Sequence, residues 1–342
     1  MCSRLFKKLR YAASLFDALL INSYITIFMF CRAILGCVPQ LFQISLKLII
    51  MRIHFFTFHR LIKHIVFFLG VSFNLVTLAA CPTDAAVDAY VADFAAMRVS
   101  AGFGNDISAV DAECAKKKLS IKLRKVLGQP VGYKAGFTSV ALQQRFNVDG
   151  PRWGYMYDRD MIDILAVVPA EFGARPLYEA DFIVVAKDAG LADAKTPLEA
   201  LAHIEFLVPF IELPDLMLEG TFSGNAMVAT NVAFRGGVLG MEIPVVKSQA
   251  FLDALANMTV VMTDENSGKE LGRAKGSALM GNPINAAMWL AQDLKKNGIA
   301  LKRGDLLSLG GYVPPQPTKT GMRVQVKYIG LPGDPAVSVE FN

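Results

Sequence analysis

Cysteine, histidine and acidic residues are scarce in ways that divide this chain in two. Four of the five cysteines, Cys2, Cys31, Cys37 and Cys81, lie in the first 81 residues, and only Cys114 follows. A disulfide within residues 82–342 is therefore excluded, and so is a cysteine-rich zinc site. Histidine is limited to His54, His59, His64 and His203, which rules out a histidine-cluster metal site in the body. The first 81 residues carry nine Lys+Arg and one acidic residue, Asp17. The whole chain has 35 Lys+Arg and 30 Asp+Glu, so the remainder holds 26 basic and 29 acidic residues, a net charge of −3. The basic excess belongs to the leader, and the body has no nucleic-acid footprint. A phosphate loop and a dinucleotide fingerprint are both missing. The run Gly236-Gly237-Val238-Leu239-Gly240 has the wrong spacing for either and reads as a tight turn. Chemistry must then rest on carboxylates, lysine and hydroxyls.

What is present begins with an apolar, basic N-terminus. Tyr11 to Phe30 is mostly apolar but broken by Asp17, Asn22 and Ser23, and makes a poor membrane span. A second start at Met51 opens a basic stretch, an apolar core from Ile65 to Val71, and Leu78-Ala79-Ala80-Cys81. This is the layout of a secretory signal peptide, and its last four residues resemble a lipoprotein processing box. The organisation expected is an extension at 1–50 that reads as a gene-start error, a signal peptide or lipoprotein leader at 51–81, and a catalytic domain at 82–342. It implies a periplasmic or cell-envelope protein, lipid-anchored at Cys81 and attached to the membrane through its N-terminus. If the leader is an artefact of the gene start, the location is cytoplasmic.

In the body, Asp84 to Met97 and Ser108 to Val126 read as helices, the second capped by Ser108 with Lys116, Lys117 and Lys118 on its polar side. Residues 132–148 read as a strand, a turn and a short helix, and 177–185 as a strand. Thr196-Pro197-Leu198-Glu199 has the chemistry of a helix start, which predicts a helix to about Leu207 holding His203 in a packing or surface role. Strands are expected at Phe210–Leu213, Met227–Phe234 and Thr259–Met262. The strongest helix begins at Asn282-Pro283 and ends at Gly298. Short strands follow at 306–309, 324–328 and 337–341. The pattern implies an α+β fold built on a mixed, barrel-like sheet.

Glu179 and Asp181 stand two residues apart in a strand pattern, which puts both carboxylates on one face. Like charges at that spacing repel, and a divalent cation offsets the repulsion. Glu212 sits in the apolar run 207–214, where a buried glutamate needs a partner or a metal. Asp215 reads as a turn residue or an acceptor behind the site. Lys134 lies between Gly132 and Gly136, which allow close backbone approach to a ligand. Cys114 reads as an inert helix residue, and Trp153, Trp289 and Phe137 as pocket-lining or core aromatics.

These blocks occur in an order that resembles the 2-keto-4-pentenoate hydratase and 4-oxalocrotonate decarboxylase branch of the fumarylacetoacetate hydrolase superfamily. They are VGYKAGFTS at 131–139, Gln143 with PRWG at 151–154, LYEADFIVV at 177–185, PFIELPD at 209–215, ATNVAFRGGVLG at 229–240, MGNPINAAMWLAQDL at 280–294, LKRGDLLSLGG at 301–311 and a final VSVEF. Together they cover nearly all of 82–342. The resemblance implies the superfamily's C-terminal-like mixed β-barrel or β-roll with flanking helices. It also implies magnesium or manganese on Glu179, Asp181 and Glu212, with Lys134 as the active-site lysine and Asp158 or Asp160 as an additional acid or base. The substrate would be a small 2-ketoacid of aromatic catabolism, and the reaction hydration of a 2-keto-4-enoic acid. Hydrolysis of an acylpyruvate C–C bond or decarboxylation of a 2-oxo acid uses the same chelate. A non-catalytic envelope binding protein on the same fold is the alternative of another class. The family's homo-oligomeric habit is expected too. Three positions depart from the family pattern: Asp181 replaces a glutamate, Thr230 precedes the asparagine where an aspartate is usual, and Asn282 replaces a histidine.

Overall fold

The structure of the chain is a computed structural model that describes residues 81–164 and 166–342. Helix α1 (Asp84–Ala95) starts at Thr83, whose side chain accepts the Ala86 N–H. Helix α2 (Ala109–Leu127) starts at Ser108, whose hydroxyl oxygen accepts the Asp111 N–H. The two helices are laced together by ion pairs between Lys118 and Asp84 at 2.9 Å and between Lys122 and Asp88 at 2.7 Å. A Cys81–Cys114 disulfide joins the segment before α1 to the middle of α2.

That bond corrects the expectations about the N-terminus. Cys81 spends its sulfur on Cys114, so it has no thiol for a lipid thioether, and the lipoprotein reading fails. The lipid-anchored envelope placement and the attachment to a membrane through a lipid at Cys81 fail with it. Among the described residues no helix is long and apolar enough to cross a membrane. The signal-peptide reading itself falls on residues that lie outside those described. Cys114 is a cross-linked residue, which the exclusion of a disulfide missed because the body was taken to begin at residue 82.

Lys116 also departs from expectation. It lies not on the polar side of α2 but fully buried. Its Nζ donates to the Trp153 carbonyl at 2.8 Å and to Glu113, and it stands 3.7 Å over the Trp153 ring. The aromatic face and the two acceptors replace its water.

Two mixed sheets follow. Strand β1 (Pro130–Gly136), helix α3 (Val140–Phe146), β2 (Arg152–Tyr157), β3 (Met161–Ile162) and β4 (Ala166–Val168) lead into the long strand β5 (Leu177–Ala186). Helix α4 (Pro197–Ala200) starts at Thr196 as expected but ends after one turn. The chain becomes β6 (Ile204–Pro214) where a helix to Leu207 was predicted. Ile204, Phe206, Val208, Phe210 and Ile211 favour a strand, and sheet pairing on both sides overrides the helix start. Met227–Phe234 is not a strand. Its first part belongs to helix α5 (Gly224–Ala229), and β7 (Phe234–Leu239) begins where the strand was expected to end. The glycines of 236–240 form no tight turn. Gly236 and Gly237 lie inside β7, because a Cβ at Gly237 would fall 2.1 Å from the Phe210 ring. The remainder is β8 (Ile243–Pro244), α6 (Gln249–Asn257), β9 (Thr259–Asp264), β10 (Lys269–Lys275), α7 (Pro283–Lys296), β11 (Leu306–Ser308), β12 (Gln316–Pro317), β13 (Arg323–Ile329) and β14 (Ala336–Phe341).

The larger sheet runs β2-β1-β11-β5-β6-β7-β3, with β12 on β5 and β8 on β6, and the smaller runs β10-β9-β13-β14-β4. Parallel pairs (β1 with β11, β3 with β7, β4 with β14) sit among antiparallel ones, as the α+β expectation of a mixed sheet requires. Phe182 of β5 stacks on Tyr328 of β13 at 4.8 Å, and the Tyr328 hydroxyl bonds the Asp181 carbonyl. The smaller sheet is thereby fixed against the back of β5 and β6, and the other face of those strands is left for the site.

Candidate metal centre

Strands β5 and β6 pair antiparallel with Glu179 opposite Glu212 and Asp181 opposite Phe210. Period two sends Ala180 and Phe182 into the core and leaves Glu179 and Asp181 on the other face, which Glu212 shares as the cross-strand partner of Glu179. One oxygen from each of the three carboxylates lies within 4.8 Å of the others. Asp181 and Glu212 are fully buried, and Glu179 is half-buried.

Lys134 of β1 joins them, with Nζ 2.5 Å from Glu212 Oε1. In a flat sheet β1 and β6 would stand three strand spacings apart, roughly 14 Å. That exceeds the combined reach of lysine and glutamate, so the contact reports the curl of the sheet over β11 and β5. The approach is an ion pair without hydrogen-bond alignment, and neither Glu212 oxygen has a hydrogen-bond partner among the described residues.

Asp181 is treated differently. Its Oδ1 accepts the N–H groups of Phe182, Leu309 and Gly310, and its Oδ2 accepts the Ser308 hydroxyl at 2.5 Å. One lone pair on Oδ2 remains uncommitted. The shorter side chain is matched by backbone N–H groups that come close to it. Gly310 has φ +102°, and a Cβ at Gly311 would fall 2.5 Å from Glu179 Oε2, so both positions need glycine.

Burial raises all three carboxyls. Burial pushes Glu212 up to about 8; the Lys134 ammonium pulls against it, and Glu179 adds a smaller push upward. Asp181 is pushed up to about 7 by burial and by Glu212. Glu179 is raised by burial and Asp181, against Lys134. Burial pushes the Lys134 ammonium down, but Glu212 and Glu179 together leave it raised. Three carboxylates and one ammonium form an under-compensated pocket.

Lys134 Nζ also donates to the Val232 carbonyl at 3.3 Å. Val232 lies in a run of three non-glycine residues with left-handed backbone: Asn231 at φ +62°, Val232 at +53° and Ala233 at +57°. Such a conformation costs roughly 1–2 kcal/mol per residue, and a β-branched residue rarely adopts it. The buried Asn231 side chain brackets β2: Oδ1 accepts the Tyr155 N–H at 2.7 Å, and Nδ2 donates to the Tyr155 carbonyl at 2.9 Å.

The other sequence candidates lie elsewhere. Exposed Asp158 accepts the Gln129 N–H at 3.1 Å and steadies the turn after α2. Asp160, half-buried, backs onto Gly236, and burial pushes it up to about 6 against the pull of Arg235. Neither is among the residues brought together around Glu212. His203 faces Asp188 at 2.7 Å on the surface. Asp215 accepts the N–H groups of Ala174 and Arg175 and pairs with Arg235, which is structural work. Trp153 and Phe137 are buried in the core. Thr230 donates to the Ala226 and Met227 carbonyls, and Asn282 caps α7 while bonding the Leu252 carbonyl. Both departures thus have backbone roles. Ser308 and the backbone of Leu309 and Gly310 were missed: one serine in a short apolar strand has no spacing to mark it, and main-chain donors carry no residue signature.

No family model matches the chain. It is 30% identical to 2-keto-4-pentenoate hydratase 1 of Dechloromonas aromatica (strain RCB) over 202 residues, 59% of this chain and 74% of that one. It is 29% identical to the 4-oxalocrotonate decarboxylase of Pseudomonas sp. (strain CF600), with the same shares covered. Among solved structures, the 4-oxalocrotonate decarboxylase of Pseudomonas putida G7, complexed with magnesium and adipate, superposes with a TM-score of 0.66 at 22% identity, covering 76% of this chain and 97% of that one. That likeness shows the fold. The chain belongs to the 2-keto-4-pentenoate hydratase and 4-oxalocrotonate decarboxylase branch of the fumarylacetoacetate hydrolase superfamily.

Proposed function

We propose that this chain is a magnesium- or manganese-dependent hydro-lyase that hydrates a 2-keto-4-enoic acid, of the 2-hydroxypenta-2,4-dienoate kind, to a 4-hydroxy-2-oxo acid. The observation that carries this reading is the buried trio Glu179, Asp181 and Glu212, in which two Glu212 oxygens are buried without hydrogen-bond partners. A buried carboxylate left that way is costly, and a hard divalent cation satisfies it with the oxygen donors such a cation prefers. Glu179, Glu212 and the open lone pair of Asp181 Oδ2 would hold it. The relatives named hydratases and decarboxylases support the same class of chemistry.

The cation, when bound, supplies a Lewis acid for the carboxylate and 2-oxo oxygens of a 2-ketoacid, which eases formation of an enolate. The protein's own residues do the rest. Lys134 carries a positive charge beside the cluster, where it attracts the substrate carboxylate and can move a proton to or from the carbon chain. The N–H groups of Leu309 and Gly310, with the Ser308 hydroxyl, hold Asp181 in one orientation. The smaller sheet behind β5 and β6 excludes water from that side.

Calorimetric titration of the purified protein with Mg2+ and Mn2+, with and without pyruvate, tests this. Saturable binding is expected, tightened by pyruvate and lost in Glu179→Ala and Glu212→Ala. Turnover of a panel of 2-keto-4-enoates, acylpyruvates and 2-oxo dioic acids then selects the reaction. A folded protein that binds neither cation at millimolar concentration would refute the reading.

A further inference from the structure

The left-handed triplet at 231–233 precedes β7, which begins at Phe234, and bonds the end of β6 through the Ala233 carbonyl, which accepts the Asp215 N–H. Three features hold it against its strain. Asn231 grips both backbone groups of Tyr155 through its side-chain amide. Gly154 lacks the Cβ that would fall 2.5 Å from the Asn231 carbonyl oxygen. Gly136 lacks the Cβ that would fall 2.5 Å from Val232 Cγ1. Both glycines flank Lys134: Gly154 is its register partner on β2, and Gly136 lies two residues along β1. Of the three carbonyls, that of Asn231 accepts the Phe234 N–H, that of Ala233 accepts the Asp215 N–H, and that of Val232 is aimed at Lys134 Nζ.

We propose that Asn231 is a positioning residue for Lys134, acting through the Val232 carbonyl. Strain is tolerated where the surroundings over-determine it, and such strain gathers where a side chain must be held in one geometry. A lysine has four rotatable bonds and a compact charge, and one carboxylate contact does not fix its direction. Glu212 draws the ammonium toward the carboxylates, and the Val232 carbonyl holds it from a second direction. Together they leave its other N–H groups directed at whatever ligand occupies the cluster. The inference deepens the proposed function and rests on it for the role of Lys134, but the Asn231–Val232–Lys134 linkage is tested without turnover.

The test measures acetylation of individual lysines by an N-hydroxysuccinimide ester at fixed pH, followed by peptide mass spectrometry, on the full-length chain. Wild type is compared with Asn231→Gly and Asn231→Ala. Glycine suits φ +62° and relieves strain, so Asn231→Gly keeps the fold while deleting the amide bracket. Lys134 should be labelled at least about fivefold faster in both variants, the factor that the net worth of one hydrogen bond gives. Lys275 of β10, held by the Asn257 carbonyl and the Thr259 hydroxyl in the smaller sheet and away from the triplet's contacts, is the internal control and should keep its wild-type rate. Unchanged Lys134 labelling in Asn231→Gly would show that the asparagine only offsets backbone strain, and would overturn the proposal. So would a parallel rise at Lys275, which reports general loosening. Absence of turnover in the wild type would count against the enzymatic reading alone and leave the labelling comparison intact.

Discussion

Asp181 and Glu212 are both withdrawn from water, yet the protein surrounds them in opposite ways. Four donors converge on Asp181, while Glu212 faces Lys134 alone. Asp181 is therefore satisfied as it stands, and Glu212 is the group that a cation would relieve. Replacing it separates stability from binding. Glu212→Gln removes one of three negative charges and keeps the shape, so Lys134 still has Glu179 and Asp181 for partners. The metal-free variant should be more stable than wild type by about 1–3 kcal/mol at pH 8, read by urea denaturation, and Mg2+ should no longer protect it. A metal-free Glu212→Gln that is less stable than wild type would mean that the Lys134–Glu212 pair outweighs the repulsion. Much of this was legible: an acidic residue inside an apolar run stands out, and period two places Glu179 beside Asp181. What supports them was not. Asn231 acts through its neighbour's carbonyl, and the donors to Asp181 are mainly backbone groups that any sequence possesses.

At the scale of elements, β6 and β7 show where sequence periodicity stops informing. The run 204–214 is buried along nearly its whole length because β5 and β7 flank it and the smaller sheet backs it. A segment buried on both faces has no alternation to read, and the helix start at Thr196 was extended into it. Ends marked by local chemistry were read correctly, as at Ser108 and Asn282, since a cap depends on its own few residues. The glycines of β7 were misread for a related reason. Their purpose lies across the sheet, in the ring of Phe210 and the backbone of Asp160. Gly237 is the register partner of Glu212, so the element and the site share this position. Gly237→Ala must displace Phe210 or spread β6 from β7, a destabilisation of about 1–3 kcal/mol. It should weaken Mg2+ binding as well, because Glu212 rides on the strand that moves. Denaturation and calorimetry on the same preparation check both, and an unchanged Mg2+ affinity in a destabilised variant would uncouple them.

For the whole molecule, these charges give stability an unusual dependence on pH. The exposed acids held low by cationic neighbours, such as Asp84 by Lys118 and Asp193 by Lys295, support the fold above the unfolded carboxylate range and lose that support in acid. Their exposure makes each contribution small. The buried trio acts in the reverse direction and at higher pH. Its carboxyls hold protons in the folded state that the unfolded chain has already released. Folding is therefore penalised increasingly as pH rises from the ordinary value of 4.5 toward about 8 for Glu212, and from 3.8 toward about 7 for Asp181. Asp160, raised to about 6, adds to the same trend over the lower part of that window. Metal-free protein should then lose thermal stability steadily between pH 5 and pH 8, where an ordinary domain changes little. Divalent cation competes with those protons, so the increment in Tm produced by saturating Mg2+ should grow across the same interval. The share belonging to Asp160 is not reversed by Mg2+, which separates it from the cluster. A Tm increment independent of pH would mean that the cation binds away from Glu212, and a metal-free Tm that rises from pH 5 to pH 8 would mean that the trio is ionised and neutralised by something other than a proton.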